Sequence, residues 1–155
     1  MAAPSALILY RNNLDVLKLS DLTGVTIRMA LLTSSYTPSA GQTGHTAYSE
    51  LTNELTTSGG YTLGGVSLAS PTVAAYSTTG FKFSTDKASW TASGGGIPAW
   101  RYGVIYADAT LWSITKPLVG YFIGDSTPAD AAATVSGALL DINCPTDGWF
   151  YLNHA

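Results

Sequence analysis

The sequence predicts an all-β fold: a single-domain antiparallel β-sandwich, jelly-roll or Ig-like, with at most one or two short helices. Three observations predict it. Short apolar or alternating segments recur at intervals of roughly 8–12 residues, and about eight to ten of them read as strands. Turns rich in Gly or Pro separate these segments, and the chain holds 16 glycines. The strand–helix alternation of a parallel sheet is missing. A length of 155 residues fits one domain over residues 1–155 with a single substantial core.

The first third of the chain contains one strongly predicted strand. Ala6–Tyr10 is a short apolar run that is either a first strand or part of an N-terminal arm formed by residues 1–12. Asp15–Leu19 fits a short strand or a short helix. Val25–Thr33 is predicted to be a buried strand, because apolar residues occupy both of its faces.

The middle of the chain alternates between weak helical and extended patterns. Ala47–Leu55 suits one or two helical turns, although Thr and Asn weaken the helix. Tyr61–Leu68 is extended, and its Gly64–Gly65 pair indicates a bulge or a sharp bend. Phe81 and Phe83 alternate with polar residues and predict a half-buried strand.

The stretch Ser89–Asp125 collects three of the four tryptophans and forms the predicted centre of the sheet. Its strands are Ala88–Ala92, Trp100–Ala107 and Pro117–Gly124, of which the second is central because both faces are covered. An exposed loop, Ala107–Lys116, joins the last two. Toward the C-terminus, weak alternation over residues 135–142 and an Asp-Gly turn before residues 149–152 predict two further strands.

Most of the aromatic side chains are assigned to the core, where Trp and Tyr bury large areas. Trp90, Tyr102 and Tyr106 belong to this set. Trp112 stands in the predicted loop and is a candidate for contact with a partner. Arg28 points away from the Met29 face of its strand and is the second partner-contact candidate, at a sheet edge or a subunit boundary.

Composition excludes several classes of function. Charged residues make up 11% of the chain, with a formal net charge of -3, and the seven Lys and Arg are scattered rather than clustered, so we expect no nucleic-acid partner. The apolar runs are far shorter than the roughly 20 residues of a membrane span, so we expect no membrane partner. The N-terminus lacks the pattern of a signal peptide. The one cysteine, Cys144, allows no intrachain disulfide and is read as a small buried hydrophobe.

No reactive constellation stands out, and we expect no enzymatic activity, cofactor or metal site. His45 and His154 are far apart and are predicted to be ordinary surface residues. The acidic pairs Glu50/Glu54 and Asp125/Asp130 do not predict a glycosidase cleft, and turn capping explains the second pair better. The run SGGG at residues 93–96 lacks the Lys-Ser/Thr of a phosphate loop and is predicted to be a turn.

Between Tyr48 and Gly120 the chain resembles a family of small structural proteins of tailed bacteriophages. The blocks that carry the resemblance are AYSELTNEL, GGYTLGGVSL, SWTASGGGIPAWRYGVIYAD and KPLVGYF, with MALLTSSYTP upstream. Each block alone is only a strand plus a turn. The resemblance to the family lies in the order and spacing of the blocks over about half the chain. The two ends of the chain follow the family pattern less well.

The resemblance implies a virion component assembled in the host cytoplasm. The first hypothesis is a capsid decoration, or cement, protein that stabilises the assembled head shell at capsomer joints, with the major capsid protein or other virion proteins as partners. We expect it to be a homo-oligomer, with a trimer matching three-fold joints of the shell. The alternative is a receptor- or glycan-binding appendage domain of a head or tail fibre, which an exposed aromatic platform around Trp112 would favour.

Overall fold

The computed structural model describes residues 7–9, 19–41, 43–76, 80–125 and 130–153, and they form an all-β, sandwich-like arrangement of antiparallel sheets. The described residues contain twelve strands and two short 3₁₀ helices, Leu19–Gly24 and Tyr48–Glu50. The strands are β1 (Ile8–Leu9), β2 (Ile27–Leu32), β3 (Val66–Leu68), β4 (Thr72–Tyr76), β5 (Gly80–Ser84), β6 (Ala88–Thr91), β7 (Tyr102–Ala107), β8 (Thr110–Leu111), β9 (Ile114–Thr115), β10 (Leu118–Ile123), β11 (Leu139–Ile142) and β12 (Phe150–Asn153). No helix in this part of the chain is long and apolar enough to cross a bilayer.

The largest sheet has five strands in the order β1-β10-β7-β2-β3. The predicted central strand is confirmed, since β7 pairs with β2 on one side and β10 on the other. The run at Ala6–Tyr10 contributes strand β1 at one edge of this sheet. Much of the ambiguous segment Asp15–Leu19 lies outside the described residues, and a 3₁₀ helix begins at Leu19.

One face of the five-stranded sheet packs on the second layer, formed by β12-β5-β4 and β11-β6, and the main core lies between them. Strand β2 contributes Met29 and Leu31 to this core. Phe122 lies over Gly103 of β7, where an added Cβ would come within 2.3 Å of the phenyl ring. Glycine is therefore required at the point where the ring crosses the neighbouring strand.

The other face of the same sheet is covered by side chains from residues 36–41 and 43–51, which create a second apolar cluster. Leu32, Val104 and Tyr106 lie under Tyr36 and its neighbours. Burying both faces explains why β2 and β7 are apolar almost throughout rather than alternating. Tyr102, which we assigned to the core, is only partly buried and packs at the margin of this cluster.

Two further predictions about exposure are wrong. Phe81 is 58% exposed although its alternation partner Phe83 is fully buried, because the core ends between them. The predicted loop 107–116 contains the hairpin of β8 and β9. Its turn residue Trp112 is partly buried against the core rather than exposed.

Candidate functional site

A polar cluster around the Glu54 carboxylate connects the covering segment to the five-stranded sheet. Oε1 of Glu54 accepts hydrogen bonds from the Tyr61 hydroxyl and the Gly64 backbone N–H, both at 2.6 Å. Its Oε2 accepts from the Tyr48 hydroxyl at 2.5 Å. The Tyr48 ring stacks on Tyr106 with centroids 4.6 Å apart. We call Glu54, these tyrosines and the Gly64–Gly65 turn the Glu54 cluster.

Arg28 clamps the same turn from the sheet side. Its Nε donates to the Gly64 carbonyl at 3.0 Å and its Nη2 to the Gly65 carbonyl at 2.6 Å. The Tyr106 hydroxyl also donates to the Gly64 carbonyl, at 2.8 Å. At Gly65, where φ is +69°, an added Cβ would lie 1.7 Å from the Met29 carbonyl oxygen. The turn therefore needs glycine, and the predicted bend at this pair is where the chain enters β3.

Burial and hydrogen bonding hold the cluster's phenols in their protonated form. Burial, followed by the hydrogen bond to Glu54, raises the pKa of both Tyr48 and Tyr61. Burial raises the pKa of Tyr106 to about 12. Neutral phenols donate to Glu54 and to Gly64, so the groups of this cluster are engaged with one another. Its effect is to fix the segment from residue 48 to residue 64 on the sheet.

Arg28 lies on β2, between β7 and β3, and its side chain extends past β3, which is the last strand on that side of the five-stranded sheet among the described residues. Its side chain is about one-quarter exposed and also lies 3.9 Å from Asp108, which pairs with Lys116 at 2.8 Å. Contact of Arg28 with a partner stays a prediction. Four groups within the chain account for its position, namely the Gly64 and Gly65 carbonyls, the Ser67 hydroxyl and the Asp108 carboxylate.

Trp112, the other partner-contact candidate, also has a partner inside the chain. Its indole N–H donates to the Asp21 carboxylate at 2.9 Å. Trp112 and Ser113 both have positive φ, at 53° and 63°, as in the two-residue turns that fit a twisted hairpin. A bulky residue rarely adopts this conformation. The indole therefore anchors the β8–β9 turn to the 3₁₀ helix that begins at Leu19.

The remaining sequence candidates are not brought together within the part of the chain that the structure describes. His45 is half-buried, with Nδ1 3.0 Å from the Tyr36 hydroxyl, and His154 lies outside the described residues. Glu50 accepts the backbone N–H groups of Thr46 and Ala47. Asp130 pairs with Arg101 at 2.7 Å. No group of three or more His, Cys, Asp or Glu side chains among the described residues is placed to hold a metal ion.

Two exposed apolar surfaces are the features that sequence reasoning missed. The first, which we call the β11 corner, comprises Val135, Leu139 and the glycine turn at residues 93–96, with Val135 73% and Leu139 61% exposed. The second, which we call the β12 end, lies at one end of the three-stranded sheet. It comprises Phe81, Leu152 and Ala75 on one face of the sheet and Tyr151 and Tyr76 on the other. Strand alternation alone could not distinguish these side chains from core residues.

Backbone hydrogen bonds between neighbouring segments hold the β11 corner in place. Ala92 and the 137–138 segment exchange backbone hydrogen bonds of 2.8 and 2.9 Å, and Ile97 and Thr134 exchange two more of 2.9 Å. The chain has no Asp, Glu, Lys or Arg from residue 88 to residue 100 or from residue 131 to residue 140. No residue of the corner itself is charged, and the Asp141–Lys87 ion pair lies on the same face of β11, two residues beyond Leu139.

Comparison with known proteins gives no match, whether with family models, curated proteins or solved structures.

Proposed function

We propose that this protein is a structural component of a bacteriophage virion, and specifically a capsid decoration protein. The observation that carries the proposal is the exposure of two large apolar side chains at the β11 corner, Val135 at 73% and Leu139 at 61%, which association with a partner would bury. The resemblance of residues 48–120 to small phage structural proteins supports the class. The all-β fold supplies a rigid platform for such a surface.

The proposed mechanism is stabilisation by mass action. A protein that binds the assembled shell but not its separated subunits lowers the free energy of the shell, by about 2.7 kcal/mol per site when its free concentration is 100 times Kd. The β11 corner would bury Val135 and Leu139 against the major capsid protein or another virion protein. Because no residue of the corner itself is charged, burying Val135 and Leu139 takes no ionised group of the corner out of water.

The alternative, a receptor- or glycan-binding appendage domain, receives less support. The observation expected to favour it was an exposed aromatic platform at Trp112. That indole is partly buried and is hydrogen-bonded to Asp21. Its N–H edge therefore contacts the chain itself and does not face a ligand.

The test is the heat stability of particles that lack the protein, before and after the purified chain is added back. We expect the wild-type chain to raise the temperature at which particles release their genome. Val135→Lys is expected to lose the effect, and Leu63→Lys, at an exposed apolar residue outside the corner, is expected to retain it. No shift with the wild-type chain would contradict the proposal.

Imaging of the intact particle gives an independent test of location. Copies distributed over the head shell support decoration. Copies confined to the tail or fibres would overturn it in favour of the appendage domain.

A further inference from the structure

The β12 end exists because the three-stranded sheet extends one residue row past the core. Its strands are in register, so Phe150, Phe83 and Val73 form one row and Leu152, Phe81 and Ala75 form another on the same face. Phe83 and Phe150 are buried in the core. In the neighbouring row, Phe81 is 58% and Leu152 44% exposed. The core-facing side of the sheet thus ends in an uncovered apolar row.

The opposite face of the same end is aromatic. Tyr76 and Tyr151 stack with ring centroids 4.3 Å apart, and Gly80 of β5, which pairs with Tyr76, puts no side chain beneath the rings. Lys82 is the charged residue on this face of β5, and its ammonium group donates to the Thr146 carbonyl at 2.7 Å. No charged side chain belongs to the Leu152–Phe81–Ala75 row.

Strand β12 is also an edge. Among the described residues it pairs with β5 alone, which leaves the backbone groups on its other side available to a further strand. When two chains associate by strand addition, an edge strand of one chain pairs with a strand of the other, and the two sheets become one. A four-residue edge strand beside an exposed apolar row is suited to this kind of contact.

We propose that the β12 end binds a second copy of this chain, through antiparallel pairing of the two β12 strands about a two-fold axis. A two-fold contact requires a self-complementary surface, and an antiparallel strand pair is self-complementary by geometry. Facing residues of an antiparallel pair lie on one face of the sheet. Pairing centred on Leu152 therefore puts the two Leu152 side chains opposite each other, with Phe81 behind each.

Charge favours a second copy over a strongly charged partner. The apolar row offers no ionised group to a basic or acidic ligand. A formal net charge of -3 on 155 residues produces little repulsion between two copies. The argument for this contact does not use the proposed capsid role, and a two-fold pair differs from the three-fold trimer that the sequence predicts.

The exposed area of the β12 end limits how tightly two copies of the chain can associate. Phe and Tyr side chains each bury about 150–250 Å² in full. Because Phe81 and Tyr151 are 58% and 49% exposed, the two rings offer about 200 Å² per copy. A stable interface buries about 800 Å² per partner. Self-association is therefore expected to be weak, and visible at high micromolar rather than nanomolar concentration.

Sedimentation equilibrium of the full chain, from micromolar to submillimolar concentration, tests the proposal. We expect the mass to rise from 16.2 kDa toward twice that value. Leu152→Lys is expected to raise Kd by at least about tenfold, which is about 1.4 kcal/mol. Leu139→Lys is the matched control, since it makes the same change at a leucine that is 61% exposed on β11, and it should leave Kd unchanged.

A cross-link tests the geometry directly. In a Cys144→Ser background, Leu152→Cys should form a disulfide between copies on mild oxidation, because facing residues of a strand pair have suitable spacing. Leu139→Cys should not. A chain that stays monomeric throughout, a mass that levels off at three copies, or equal effects at Leu152 and Leu139 would each overturn the proposal.

Discussion

Removing the Glu54 carboxylate is expected to destabilise the fold through the donors that it leaves unpaired. In Glu54→Leu, the Tyr61 hydroxyl, the Gly64 N–H and the Tyr48 hydroxyl all lose their acceptor. A buried donor without an acceptor costs about 1–3 kcal/mol. Tyr61 is fully buried, whereas Tyr48 and Gly64 are partly exposed and can be rehydrated. We therefore expect a loss of about 2–4 kcal/mol in the free energy of unfolding.

For a chain of 155 residues, this loss lowers Tm by roughly 4–16 °C, at about 2–4 °C per kcal/mol. Urea unfolding followed by tryptophan fluorescence measures the free energy, and calorimetry measures Tm. Glu54→Gln should cost less than Glu54→Leu, because the amide keeps one acceptor oxygen. A loss below about 0.5 kcal/mol for Glu54→Leu, within the range of an ordinary surface change, would refute the reasoning.

A double-mutant cycle separates the Glu54–Tyr61 contact from other effects. Tyr61→Phe alone also removes the acceptor of the Leu31 backbone N–H, at 3.0 Å, and the cycle subtracts that contribution. We expect a coupling of about 1 kcal/mol or more between Glu54→Leu and Tyr61→Phe. The matched cycle with Tyr48→Phe should give a smaller coupling, since water can reach the Tyr48 hydroxyl. Additivity within about 0.3–0.5 kcal/mol in the Tyr61 cycle would show that the contact contributes nothing.

Three further outcomes are expected. Hydrogen bonds from the backbone N–H groups of Thr46 and then Ala47 lower the pKa of Glu50. The stability that the Glu50 carboxylate contributes is therefore present above the ordinary glutamate pKa and is lost as the pH falls through the lowered value. Glu50→Gln should flatten the acid side of a plot of unfolding free energy against pH, and an unchanged slope would contradict this. Ser113→Gly should stabilise the fold by up to about 1 kcal/mol in urea unfolding, because Ser113 has a φ of 63° that glycine adopts without strain, and a loss of stability would count against the turn. Burial raises the pKa of Cys144, so a thiol reagent at neutral pH should react at least about tenfold faster with the urea-unfolded chain than with the native one; equal rates would show an accessible thiol.

The strands were predictable because alternation and apolar runs are local properties. Val25–Thr33 predicted β2, and the aromatic stretch predicted β6, β7 and β10, because each pattern depends on neighbours within a few residues. The bend at Gly64–Gly65 was predictable for the same reason. Alternation identifies which side chains share a face but not where the core beneath that face ends. That is why Phe81 was assigned with Phe83 although only Phe83 is covered.

The polar contacts could not be predicted, because they join residues far apart in sequence. Arg28 meets a turn 36 residues away, and Trp112 meets Asp21 across 91 residues. No local pattern encodes either pair. The turn at Trp112 and Ser113 contains neither Asn nor Gly, which usually mark a hairpin, so no local pattern distinguishes the β8–β9 hairpin from the loop that we predict there. The anchoring indole compensates for the missing turn residues.

The two proposed surfaces lie on different sheets, and this separation makes their functions distinguishable. The β11 corner belongs to the β11-β6 sheet and the β12 end to the β12-β5-β4 sheet. A two-fold dimer would carry two corners, so binding of the second corner to a shell becomes intramolecular and raises the overall affinity without a new contact. Leu152→Lys should then weaken shell binding although its corner is intact, and Leu139→Lys should weaken shell binding although it still dimerises. If Leu152→Lys binds the shell as tightly as the wild-type chain, each corner acts alone and self-association contributes nothing to decoration.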